Sequence, residues 1–178
     1  GQNQPIASRQ WHSGFLPGQF QGVHFNSSGD PVLYVKNPAG VTSRDQRDII
    51  DTIGRINRQR DSLVPDPEIS TRISQYELAF KMQVSVPSLM DISDESQATL
   101  DMYGTKGADG TFNGNCLLAR RLAERGVRFI QLYHRGWDHH NGIVNFMKNH
   151  CCPSVDQAIA GLIIDLKRRG LFNDTLIE

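Results

Sequence analysis

Apolar positions return every three or four residues in four stretches of this chain, and each stretch begins or ends on a recognisable helix signal. Ile49, Ile50, Ile53 and Ile56 share one helical face, and Ser43 with Gln46 three residues on reads as a capping box. The first helix is therefore expected from about Arg44 to Arg60. Asp66-Pro67 repeats a start signal with proline at the first helical position, and Ile69, Ile73, Tyr76 and Phe80 carry the spacing to about Val84. A shorter helix is expected over Ser93 to Met102, followed by a loop marked by Gly104, Gly107, Gly110 and Gly114. Cys116, Leu117, Ala119, Leu122 and Ala123 form the apolar side of a third long helix that closes at Gly126. Val155, Ile159, Leu162, Ile163 and Leu166 stripe a fourth, which ends in Lys167-Arg168-Arg169 before Gly170, with cations at the negative end of the helix dipole.

Between the last two helices the pattern changes. Val127 to Tyr133, with Phe129, Ile130, Leu132 and Tyr133, reads as a buried strand, and a second strand is expected to begin near Thr175. Helix, strand, helix, strand with short joints is the grammar of an α/β fold with a mostly parallel sheet, joined by a right-handed crossover. The first forty residues, dense in glycine and proline, predict loops around at most one strand, Val32 to Lys36. The expected organisation is a single partial domain over 1–178: a loop-rich segment 1–42, a helical layer 43–103 and a βαβ portion 115–178. A strand that stops after Leu176 and Ile177 cannot complete a sheet, so the chain reads as an internal piece of a larger domain.

Composition narrows the function. Nineteen Lys and Arg balance nineteen Asp and Glu, which removes the electrostatic drive toward nucleic acid or an anionic membrane. No apolar run approaches the roughly 18 residues of a membrane span. Cys116 and the neighbouring pair Cys151 and Cys152 make no disulfide framework, and the polar start of the chain shows no leader peptide.

The chemistry concentrates in His134-Arg135-Gly136-Trp137-Asp138-His139-His140-Asn141, which leaves the expected Val127–Tyr133 strand at its carboxyl end, where open α/β sheets bind ligands. Imidazole and carboxylate groups suit zinc, manganese or iron, and Arg135 supplies a cation for an anionic substrate. In an extended segment Asp138 and His140 point the same way and can reach one ion, with His139 facing elsewhere. Other candidates are weaker. His150-Cys151-Cys152 lacks the Cys-x-x-Cys spacing of a zinc site. Gly104 to Gly114 lacks the pattern of a phosphate-binding loop, and no Gly-x-Ser-x-Gly elbow is present. Arg9, Trp11 and His12 contribute to a pocket or, more simply, pin the amino-terminal loop to the core.

Ser13-Gly14-Phe15-Leu16-Pro17, Gln21-Gly22-Val23, Leu118-Ala119-Arg120-Arg121-Leu122, Glu124-Arg125-Gly126-Val127-Arg128-Phe129 and Gly136-Trp137-Asp138-His139-His140 together resemble a large bacterial family of sulfatase-like proteins of unassigned function, related to the alkaline-phosphatase superfamily. The resemblance implies an α/β/α sandwich, here incomplete, in which divalent metal ions (zinc, manganese, calcium or magnesium) assist cleavage of phosphate or sulfate esters. It makes Asp138 and His140 metal ligands, with His139 as the alternative to His140, and places the remaining ligands and the nucleophile outside this chain. It further implies export from the cell and a small-molecule or glycan ester as substrate. The alternative is a non-catalytic protein of the same fold that holds an anionic glycan or protein partner.

Overall fold

The computed structural model describes residues 13–17, 20–26, 31–32, 37–64 and 66–178, and among them every regular element is helical. The chain divides into two compact units, one of Asn3–Phe25 with Val32–Ser88 and one of Gly1–Gln2, Asn26–Pro31 and Leu89–Glu178.

The first unit holds α1 (Ser43–Leu63) and most of α2 (Pro67–Met90). The expected capping box lies one residue earlier than its sequence pattern: Thr42 is the N-cap, its hydroxyl accepts from the Asp45 N–H, and the Asp45 carboxylate accepts the Thr42 N–H at 2.9 Å. That carboxylate is held below the ordinary Asp range, first by the Thr42 hydroxyl and then by the Thr42 N–H. The Arg47 guanidinium reaches Asp51 on its own helix and, at 2.7 and 2.8 Å, both oxygens of Glu77 on α2. α2 begins at Pro67 as expected but continues past Val84 through Pro87, which cannot donate to the helix ladder. The expected strand Val32–Lys36 lies, apart from Val32, outside the described residues, as do Arg9, Trp11 and His12.

The second unit contains α3 (Gln97–Tyr103), α4 (Phe112–Glu124), α5 (Ile143–Phe146), a π-helical turn (Met147–Cys151), α6 (Cys152–Arg168) and a final 3₁₀ turn (Phe172–Asp174). Its core is Tyr103, Cys116, Leu117 and Ala158, with Ile92, Leu100, Met102, Phe112, Leu132 and Leu162 packed around them. The helix α4 closes as the sequence predicts: Gly126 adopts φ 78°, its N–H donates to the Ala123 carbonyl, and the Val127 N–H donates to Leu122 at 3.1 Å. The glycine-rich loop before α4 is organised around Asp109, whose carboxylate accepts from Thr105 Oγ1, Lys106 N, and both Thr111 N and Oγ1. Burial, the largest influence, raises that carboxyl, yet these donors together hold it below the usual Asp range.

Polar groups are buried beside the apolar core. Arg120, only 2% exposed, meets Glu95 at 2.6 Å, Glu124 at 2.6 Å and Asp165 at 2.9 Å. Arg121 donates to the carbonyls of Leu89 and Asp91 and pairs with Asp94 and Glu95. Arg169 closes the network through Asp165 at 2.8 Å and Glu124 at 2.6 Å, and the Tyr103 hydroxyl donates to Asp165 at 3.2 Å. Desolvation would lower the Arg120 pKa, but Glu95 and Glu124 outweigh it and drive it up; burial and the Asp165 charge raise that of Tyr103.

The α/β expectation is overturned. Val127–Tyr133 and the segment from Thr175 form no ladder, and no strand or sheet exists among the described residues, so there are no parallel strands and no α/β/α sandwich. An apolar run marks burial, but a strand needs a partner to take up its backbone donors and acceptors. Here only Leu132 packs on the core, while Phe129 is 85% and Leu176 84% exposed.

Candidate functional site

The segment 134–141 connects the irregular 127–133 stretch to α5 and turns at Gly136, which takes φ 91°. It is not the carboxyl end of a strand. Helical elements that follow it hold it in place. His134 accepts the Trp137 indole N–H at Nδ1 over 2.8 Å, lies 3.3 Å through Nε2 from the Ser154 hydroxyl on α6, and meets the Phe112 ring edge-on at 5.0 Å. The Cys151 thiol lies 3.2 Å from the Gly136 carbonyl oxygen and 3.1 Å from His139 Nε2. The His139 ring also lies against Phe146 at 3.9 Å, and Phe146 in turn against His150 at 4.7 Å.

Asp138 and His140 turn the other way. Asp138 Oδ1 and His140 Nε2 are 3.1 Å apart, with side chains 89% and 83% exposed. The structure thus brings Asp138 and His140 together and separates His139, which is committed to Cys151 and Phe146. Arg135 is exposed on the same segment. Among the described residues no group of three or more His, Cys, Asp or Glu side chains is placed to hold a metal ion, so Asp138, His139 and His140 do not form one ligand set.

The sequence reading passes over Ser154 and weighs Cys151 as a zinc ligand against the simpler reading of a buried or free thiol, which its burial bears out. A signal for both was present: Cys151, Val155, Ala158 and Leu162 follow at helical spacing, so Cys151 belongs to the face that packs inward, and Ser154 lies one turn further along. Cys151 is accordingly 4% exposed.

Fold and site together define a helical protein bearing an exposed carboxylate–imidazole pair on a loop clamped from behind by a helix. A family profile described as "Protein of unknown function (DUF1501)" matches residues 1–177, and the chain belongs to that family. No curated protein and no solved structure matches the chain. The resemblance to sulfatase-like proteins of the alkaline-phosphatase superfamily is corrected accordingly: the description of the matched family names no such superfamily, and the sheet the resemblance implies is missing from the described residues. No described helix is long and apolar enough to cross a membrane.

Proposed function

We propose that Asp138 and His140 are two ligands of a divalent cation that assists hydrolysis of a phosphate or sulfate ester, with Arg135 meeting the anionic group. The supporting observation is their convergence at 3.1 Å on the solvent side of a loop whose neighbouring His139 is held inward. A carboxylate beside an imidazole is a donor pair suited to zinc or manganese, and a guanidinium matches the planar edge of an oxyanion. When bound, such an ion polarises the ester and lowers the pKa of an attacking water. The chain's own part is to present two donors on one side and a cation nearby. The other coordination positions fall to water, substrate oxygens or groups beyond the described residues.

A second reading, a non-catalytic protein that holds an anionic glycan or protein partner on the same loop, is favoured by the near-complete exposure of both side chains. Metal content by elemental analysis, together with turnover of aryl phosphate and aryl sulfate, separates the two for wild type, Asp138→Asn, His140→Ala and His139→Ala. The hydrolase reading expects metal and turnover to disappear in the first two variants and metal to be retained in the third. Unchanged metal stoichiometry in folded Asp138→Asn and His140→Ala would end the ligand assignment. Metal binding without turnover in the wild type would favour the binding protein.

A further inference from the structure

The donors and acceptors around His134 and His139 constrain where the protons sit. A carbonyl oxygen only accepts, so the Cys151 thiol proton goes to Gly136 O at 3.2 Å. The Cys151 sulfur is then the acceptor in its 3.1 Å contact with His139, which must carry its proton on Nε2. The same bookkeeping applies one helical turn on. Ser154 Oγ spends its proton on the Cys151 carbonyl at 2.6 Å, so in its 3.3 Å contact with His134 Nε2 the imidazole donates. The indole N–H of Trp137 only donates, so His134 Nδ1 accepts. His134 is thus the Nε2–H tautomer, and His139 carries a proton on Nε2. A thiolate at Cys151 would face the Gly136 oxygen with no proton between them, which argues for a protonated, structural thiol and not a nucleophile.

We infer that Cys151 and Ser154 are positioning residues: spaced three apart across the junction of the π-helical turn and α6, they tie the loop down at His134, Gly136 and His139, hold the His139 proton on Nε2, and so dictate that Asp138 and His140 face outward. The third anchor, His139, lies between the two exposed side chains, and the π-helical turn Met147–Cys151 just before α6 is the element that carries the Cys151 thiol to the loop. The link to a divalent ion rests on the function proposed above; the tautomers do not.

The test is ring-nitrogen NMR of the ¹⁵N-histidine-labelled chain at pH 8 without metal, on wild type, Cys151→Ser, Cys151→Ala and Ser154→Ala. Wild type is expected to show His134 and His139 each as a single Nε2–H tautomer. Cys151→Ser, whose hydroxyl can donate to Gly136 and accept from His139, retains the His139 signature. Cys151→Ala collapses it to the averaged pattern of a solvated ring, whereas Ser154→Ala leaves His134 the Nε2–H tautomer that the Trp137 indole still imposes and moves only its Nε2 resonance. An averaged His139 in the wild type, or an unchanged His139 in Cys151→Ala with native thermal unfolding, overturns the inference. A Cys151→Ala chain that fails to fold leaves the wild-type and Cys151→Ser spectra to decide. A separate arm titrates Mn²⁺ and follows broadening of the His140 ring signals. Loss of the clamp should weaken Mn²⁺ by about tenfold, the cost usual for removing a group that orients ligands from behind. Wild type that shows the fixed tautomers but no Mn²⁺ broadening refutes the metal reading while leaving the clamp standing.

Discussion

Cys116 lies 1% exposed among Tyr103, Leu117 and Ala158, and burial alone pushes its thiol up to about 12. Cys151 is buried with its proton given to a backbone carbonyl, whereas Cys152, the next residue, is partly exposed. Reactivity toward alkylating agents follows the thiolate fraction and access, so three cysteines in one chain should behave differently. Under native conditions at pH 8, iodoacetamide is expected to modify Cys152 first, with Cys116 and Cys151 protected until the chain is unfolded in denaturant. Peptide mapping by mass spectrometry reads this directly. Native labelling of Cys116 as fast as that of Cys152 would show that its surroundings open far more readily than a packed core allows.

At the scale of elements, the approach of α6 to α3 depends on a missing side chain. A Cβ at Gly161 would stand 3.0 Å from the Met102 carbonyl oxygen and 3.2 Å from Tyr103 Cα, both backbone atoms that cannot swing aside. Alanine is favoured over glycine inside a helix by about 1 kcal/mol, so Gly161→Ala sets propensity against contact. Overpacking commonly costs roughly 1–3 kcal/mol, and with backbone as the obstacle it should win, giving a net loss of about 1 kcal/mol in urea unfolding. A gain in stability would mean that the two helices separate easily.

The helices themselves were legible because proline starts and glycine stops are local signals: Pro67, Gly126 and Gly170 act within a turn of where they stand, whereas the first cap falls on Thr42, one residue before the Ser43 that the pattern offers. The sheet was misread because Val127–Tyr133 is apolar without a pairing partner, and pairing is not a local property. That Asp138 and His140 point the same way, with His139 facing elsewhere, was legible from their spacing. The clamp behind them was not, since it depends on where the π-helical turn delivers Cys151.

For the carboxy-terminal unit as a whole, the polar network sets how its helices are joined. Glu95 precedes α3, Arg120 and Glu124 belong to α4, Asp165 to α6, and Arg169 follows α6, so a single guanidinium at Arg120 links three segments distant in sequence. The sequence hinted at this: Arg120 lies four residues after Cys116 and three after Leu117, on the inward face, and Asp165 follows Ala158 and Leu162 at the same spacing. A buried charge on an apolar face requires a partner, because leaving it unpaired costs far more than the pair contributes over an apolar substitute. Arg120→Ala leaves Glu95 and Asp165, each with a side chain 5% exposed, short of their buried counter-charge. A loss of about 3–5 kcal/mol is expected, a large share of the stability of a domain of this size. Arg47→Ala is the matched comparison, since Arg47, Asp51 and Glu77 are each at least a third exposed and such pairs contribute at most about 1 kcal/mol. Guanidinium unfolding monitored by circular dichroism measures both. Equal effects of the two substitutions would show that the Arg120 network admits water and is no more than a surface cluster.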